Sequence, residues 1–311
     1  MNKPKPFDQI VAIAAAPGEQ NPPVLFAAAT NGLYTSPDGG ESWTNALEMS
    51  GLPGSEPVTA LMLSPSADGS FSVYAGAVGG ILRSFDRGQH WEAVSFGQPA
   101  PVVTAFTSSR QNVIHAATLE DGVFTSTDGG GSWSRWNFGL LDWKVMSITA
   151  AIRPDGHPII FAGTESGGIY ASKNNGRTWT ETSFPDAPSP VMALSASPDG
   201  LTLLAGTENG ALFCSPDCGE SWLEISTGFP PDTISAILIG SAGEKDAGGS
   251  EWAAAALTGS RLLATVDSGQ TWQALSDEGC EILHIAAPDG IKKGADVWAA
   301  SGDGRFLKFT I

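Results

Sequence analysis

Five carboxylates stand where an apolar, β-rich run gives way to a glycine-containing turn: Glu120, Asp121, Glu165, Glu208 and Asp303. Two carboxyl groups flanking a glycosidic bond are what glycoside hydrolysis requires. A set of them could instead hold a cation or a basic partner, or form nothing more than a solvated acidic rim. Their spacing in the chain does not give their separation in space. A second stretch invites a different chemistry. Trp136-Asn137-Phe138-Gly139-Leu140-Leu141-Asp142-Trp143 packs two Trp, one Phe and two Leu into eight residues. Aromatic clusters of this density anchor protein interfaces, and they also stack on sugar rings.

Comparable apolar residues punctuate the other stretches between β-rich runs: Met49 and Leu52, Phe96, Phe184, and Phe229 ahead of Pro230 and Pro231. A Gly-Leu or Gly-Phe flavour recurs at Gly51-Leu52, Gly139-Leu140 and Gly228-Phe229. Recurrence points to packing, whereas Trp136 and Trp143 have no counterparts elsewhere in the chain. Trp136, Phe138, Leu141, Trp143 and Phe229 are therefore the expected partner-binding residues. Metal chemistry has little support. His90, His115, His157 and His284 have no ligand spacing with one another or with a cysteine. Nothing resembles a phosphate loop or a nucleophile elbow, so neither a cofactor nor a catalytic residue is assigned.

The elements that must position these groups are announced by a repeat. SPDGGESW (Ser36 to Trp43), SFDRGQHW (Ser84 to Trp91), STDGGGSW (Ser126 to Trp133), SKNNGRTW (Ser172 to Trp179), SPDCGESW (Ser215 to Trp222) and TVDSGQTW (Thr265 to Trp272) begin 48, 42, 46, 43 and 50 residues apart. A period of this size means stacked supersecondary units. Each copy follows a short run such as Gly32 to Ser36 or Ala211 to Ser215. Two further apolar runs lie upstream of it, and one follows its Trp. Short β-rich runs separated by Gly, Pro, Asn and Asp read as hairpins. Each unit is then a four-stranded meander, and such sheets repeated radially make a β-propeller.

The motif falls in the turn between the third and fourth strands. Asp38, Asp86, Asp128, Asn174, Asp217 and Asp267 are expected to accept backbone N–H groups two or three residues on and so close the turn. The Gly supplies a positive φ. Trp43, Trp91, Trp133, Trp179, Trp222 and Trp272 offer flat faces between blades, each with an indole N–H to bond a carbonyl.

The chain is expected to be all-β, a single seven-bladed β-propeller domain over 1–311. The blades fall at about 9–55, 56–101, 102–144, 145–190, 191–233, 234–281 and 282–311. The last has no motif and no fourth strand. Either residues 1–8 complete it, with Pro4 and Pro6 acceptable only at an edge, or it stays three-stranded with Phe306 to Ile311 as its edge. This order of strands gathers the loops between blades, and those between second and third strands, on one face of the ring. A long insertion, Ala242 to Glu251, is expected to be a flexible loop between a first and a second strand.

The motif resembles the Asp-box, or BNR repeat, of sialidase-like propellers. The longer unit is similar to the repeat shared by photosystem II assembly propellers, sortilin-type domains and xyloglucanase-type glycosidases. The resemblance spans nearly the whole chain and implies the fold far more than a function. Asn174 in place of Asp and His90 in place of Ser or Thr depart from it without threatening the turn. Sialidase chemistry, as the resemblance would have it, needs three gathered arginines and a Tyr nucleophile with a Glu base. Tyr34 and Tyr170 occupy positions held elsewhere by Leu82, Phe124, Phe213 and Leu263, so they are expected in the core. Photosystem II assembly factors use a basic patch and are exported, and neither is evident here.

Charge narrows the partners. Lys and Arg number 16 against 33 Asp and Glu, for a net charge of −17. Nucleic acid, which demands clustered cations, is excluded as an expectation. No apolar run is long enough for a membrane span. Three cysteines do not make a disulfide framework, and the opening residues lack a secretory apolar region, so a cytoplasmic setting is expected. The function expected is a non-catalytic protein-binding or assembly scaffold working from the loop-rich face, its partner basic if charge decides. The alternative is a glycoside hydrolase or glycan-binding propeller using Glu120, Asp121, Glu165 and Glu208.

Overall fold

The structure, a computed structural model, describes residues 6–16, 22–65, 70–78, 80–94, 100–185, 189–241, 252–259, 261–276, 282–288, 290–301 and 305–311. Six four-stranded antiparallel sheets and one of three strands follow one another in chain order. The first strands, among them Ile10–Ala15, Val103–Arg110 and Val145–Ile152, touch their counterparts in both neighbouring sheets. The seventh sheet touches the first. The chain therefore closes a ring, a seven-bladed β-propeller with almost no helix. The exception is one turn, Ala46–Met49, capped by the Asn45 side chain on the N–H groups of Leu47 and Glu48.

The second strands are buried along most or all of their length, completely so in Leu25–Ala29, Pro158–Thr164 and Trp252–Thr258. Each is covered on both faces by neighbouring blades, which is why these runs read as continuous apolar stretches rather than alternating ones. Hydroxyls tie successive first strands together. Thr59 donates to the Val103 carbonyl (2.8 Å), Thr104 to that of Val145 (2.6 Å) and Ser147 to that of Val191 (2.8 Å). Tyr34 and Tyr170, each 5% exposed, fill the core as expected.

The eight-residue turn bonds to itself and to the blade before it. The Asp128 carboxylate accepts the N–H groups of Gly131 and Ser132 and the Ser132 hydroxyl (3.0, 2.9 and 2.7 Å). Bonding reaches three and four residues on, one further than the two or three anticipated. Asn174 keeps the scheme: its Oδ1 accepts the Thr178 N–H and its Nδ2 donates to the Thr178 hydroxyl (2.9 and 2.8 Å). His90 substitutes its Nδ1 for the missing hydroxyl, 2.5 Å from Asp86 Oδ2. Trp43, Trp91, Trp133 and Trp179 each donate the indole N–H to the motif's Gly carbonyl, at 3.0–3.1 Å. Trp222 and Trp272 make no such bond.

Two successive residues of each turn are left-handed. The first can be Arg87, Asn175, Cys218 or Ser268 (φ 58–62°). The second is always Gly. A Cβ on Gly219 (φ 87°) would lie 2.6 Å from the Phe161 ring of the preceding blade. The motif is thus a joint between blades as much as a turn within one.

Closure follows the second of the two expectations, a three-stranded last blade that ends in an edge strand. The seventh sheet, Ile282–Ala286, Asp296–Ser301 and Phe306–Thr310, has three strands among the described residues. Residues 6–8 dock on the first blade instead. The Pro6 carbonyl accepts from Asn31 Nδ2 and the Tyr34 hydroxyl (3.0 and 3.2 Å), and Phe7 is buried among Tyr34, Trp43 and Phe306. Pro4, the 242–251 insertion, Phe96, Cys280 and Asp303 lie outside the described residues.

Candidate functional site

The Trp136–Trp143 stretch joins the short outer strand Ser134–Arg135 of the third blade to the first strand of the fourth. Its backbone is held from several sides. The Phe138 carbonyl accepts the Trp179 N–H (2.8 Å), and the Trp136 carbonyl accepts the Trp179 indole (3.1 Å). Gly139 is required here: at φ 87°, a Cβ would come within 2.2 Å of the Trp179 carbonyl oxygen. Asn137 bonds the turn between the second and third strands through the Asp121 carbonyl and the Val123 N–H (2.7 and 3.0 Å). The Trp143 carbonyl accepts the Gly122 N–H (2.9 Å), while its indole donates to Leu140 (3.0 Å). Asp142 accepts the N–H groups of Lys144 and Ser166. Burial pushes its carboxyl pKa up, but those N–H groups outweigh the effect and hold it below the usual carboxylate range.

Against that fixed backbone the side chains divide. Leu140 is buried at 3% and roots the loop, Trp136 is half-buried with Arg177 stacked 5.1 Å from its ring, and Trp143 carries Arg135 at 5.4 Å. Phe138 and Leu141 face solvent at 80% and 81%. Of the four anchors read from the sequence, Phe138, Leu141 and the exposed part of Trp143 present an apolar surface, and Trp136 serves the seam. Phe229 is not part of this surface. It sits between the fifth and sixth blades, half-buried over a hollow of about 350 Å³ lined by Leu212, Ile225 and Pro231.

The structure does bring two of the acidic residues to this loop, one at each end. Asp121 pairs with Arg135 (2.7 Å) and Glu165 with Lys144 (2.6 Å). The Lys144 ammonium pKa is raised by its bond to Glu165. Both carboxylates are answered within the chain, which ill suits a free acid–base pair. Glu120 and Glu208 are exposed on their own turns. Asn137, Asp142, Arg135 and Lys144, which frame the loop, escaped the sequence reading. The alternation of Arg135 and Lys144 with Asp121 and Glu165 was the available signal. Among the described residues, no group of three or more His, Cys, Asp or Glu could hold a metal ion, and no helix is long and apolar enough to cross a membrane.

No protein-family profile matches the chain, and no curated protein matches it. Solved structures do. YCF48 from Cyanidioschyzon merolae is 15% identical, with a TM-score of 0.66 over 99% of this chain and 97% of its own. YCF48 bound to D1 peptide is 16% identical, with a TM-score of 0.67 over 99% and 93%. An ancestral GH74 enzyme is 17% identical, with a TM-score of 0.72 over 99% of this chain but 45% of its own. At these identities the likeness establishes the propeller and nothing finer.

Proposed function

We propose that this chain is a non-catalytic protein-binding propeller of the Asp-box type, a single domain over 1–311, whose docking surface is the 136–143 loop. The observation that carries the reading is the pairing of rigidity with exposure. Phe138 and Leu141 are four-fifths exposed on a backbone bonded to both neighbouring turns and to Trp179. Apolar side chains held out by a fixed frame lose little entropy when a partner covers them. The ion pairs Arg135–Asp121 and Lys144–Glu165 give the surface a neutralised polar rim, the pattern of an interface with an apolar centre. A basic partner is therefore not required at this surface. That one similar structure holds a D1 peptide is in keeping with protein binding. The two described cysteines, Cys214 and Cys218, are free thiols, which suits a cytoplasmic setting.

The test is retention of a partner from native extract by the wild-type chain and by Phe138→Asp/Leu141→Asp at matched thermal stability. Loss of a stoichiometric protein in the variant is expected. Equal retention would remove the loop from the account, and retention of nothing together with turnover of glycosides would favour the hydrolase reading.

A further inference from the structure

Among the described residues, the seventh blade is the one whose outer edge is left open. Each of the other six covers its third strand with an outer strand of two or three residues. In the seventh, Phe306–Thr310 is the last strand of its sheet. The Ser301 N–H donates to the Arg305 carbonyl (2.8 Å) and the Ile311 N–H to that of Ala295 (3.0 Å). Bonded residues alternate along an antiparallel ladder. Leu307 and Phe309 therefore turn their backbone groups toward the second strand, and Lys308 turns its N–H and C=O toward the open side. In complete blades this row is bonded. The Thr182 N–H donates to the Ile169 carbonyl (2.9 Å) and the Leu275 N–H to that of Leu262 (2.8 Å), both at the position of Phe306. An open row of this kind is a template for an added strand.

The second blade shows what such a strand must carry. Its Val73-Tyr74-Ala75 corresponds to Val297-Trp298-Ala299 of the seventh, and it pairs Arg83 where the seventh pairs Lys308. Arg83 is answered by Glu92 directly opposite on the outer strand, at 2.8 Å. A carboxylate opposite Lys308 would repeat that pair. Lys308 does reach back to Asp296 (2.8 Å), but a solvent-exposed pair contributes little, and the ammonium keeps donors for a second carboxylate. Two residues on from Glu92, Val94 stands opposite Ile81. That is the position of Phe306, which is half-buried and shares the Lys308 face of its strand. The incoming strand thus reads acid, any residue, then apolar. The same edge of a second copy would bring another lysine in place of a carboxylate, and lysine at mid-edge guards against self-pairing. Residues 6–8 of the chain lie on the first blade, and Lys3-Pro4-Lys5 before them supplies cations and a proline.

We propose that the Phe306–Thr310 edge binds an extended segment of another protein, added antiparallel as a fourth strand, with Asp or Glu opposite Lys308 and an aliphatic or aromatic residue two places on, opposite Phe306. This edge and the 136–143 loop are separate surfaces, and either can fail alone. The probe is the chain's own Gly88–Val94 as an end-capped, dye-labelled peptide, titrated with the full chain and read by fluorescence anisotropy. It should bind, and Glu92→Lys in the peptide should weaken it about fivefold or more. Lys308→Glu in the chain should cost a similar factor, and the two reversals together should restore binding. Lys308→Pro removes the outward N–H along with the charge. A sheet edge tolerates proline, so the melting temperature should hold while binding is lost. Phe138→Asp/Leu141→Asp should leave this binding unchanged. Absence of binding at millimolar peptide, indifference to Glu92→Lys, no rescue by the paired reversals, loss of binding in the loop variant, or undiminished binding by the folded Lys308→Pro chain would each overturn the assignment. Dimerisation of the free chain that Lys308→Pro abolishes would overturn it in favour of a second copy.

Discussion

The ring of Phe7 meets the indole of Trp43 edge-on, with centroids 5.4 Å apart and planes at 90°. Phe184 meets Trp222 in the same way, at 5.2 Å and 88°. Phe184 follows an outer strand and packs on the next blade's motif Trp. Phe7 takes that place against the first blade although it comes from the other end of the sequence. The ring is thus sealed by an aromatic clasp in which Tyr34, Trp43 and Phe306 also take part. Phe7→Ala should cost about 3 kcal/mol in urea unfolding, the usual loss for a buried phenyl ring. A loss below about 0.5 kcal/mol, the size of an ordinary surface change, would mean the clasp does not hold the ring.

The two left-handed positions of the motif should respond oppositely. Gly219→Ala brings a methyl against Phe161 at a φ that L-residues resist, and should destabilise by about 2 kcal/mol or more. Arg87→Gly relieves a positive φ in an equivalent turn, and should be neutral or stabilising by about 1 kcal/mol. Matched denaturation curves decide it, and equal responses would contradict the joint as described.

Acid should loosen the ring in two stages. His115, held between Ser109 and Thr125, is buried and His284 is half-buried, and desolvation lowers both imidazole pKa values from 6.5 to about 4. Above pH 6.5 both states are neutral and nothing is lost. As pH falls from 6.5 toward 4 the unfolded chain takes up protons that the folded chain refuses, so stability drops, by up to about 3 kcal/mol for each histidine. The motif carboxyls follow. Desolvation raises those of Asp38 and Asp86, but bonds from Ser42 and Ser36, and from His90 and Ser84, prevail and bring both to about 2. Their contribution is present above pH 3.8 and is lost from there down to about 2. Stability against pH for wild type and His115→Asn should differ in slope between pH 6.5 and 4; parallel curves would remove His115 from the account.

The repeat made the fold legible because a turn that must accept its own N–H groups, admit a Gly beside a neighbour's ring and start a strand with Trp leaves few choices at those positions. The second strands were legible because burial on both faces makes them uniformly apolar. The three-stranded last blade was among the expected closures, but the aromatic clasp beside it was not. Phe7 lies in a proline-bearing lead with no β pattern, and its partners are at Tyr34, Trp43 and Phe306. The site was half legible. Density of Trp, Phe and Leu picked out the loop, but not that Trp136 is half-buried under Arg177 while Phe138 is four-fifths exposed, both on a backbone bonded to Trp179 far along the chain. Asp121 and Glu165 read as free acids because their partners, Arg135 and Lys144, are distant in sequence.

Docking at the 136–143 loop is tested most directly by a photo-crosslinking residue placed at Leu141, with Leu223, 65% exposed on an outer strand of the fifth blade, as the control position. Irradiation in the native cell should give one discrete protein adduct from position 141 and none from position 223. Adducts of equal yield from both positions, or none from 141 in a chain that remains folded, would contradict the account.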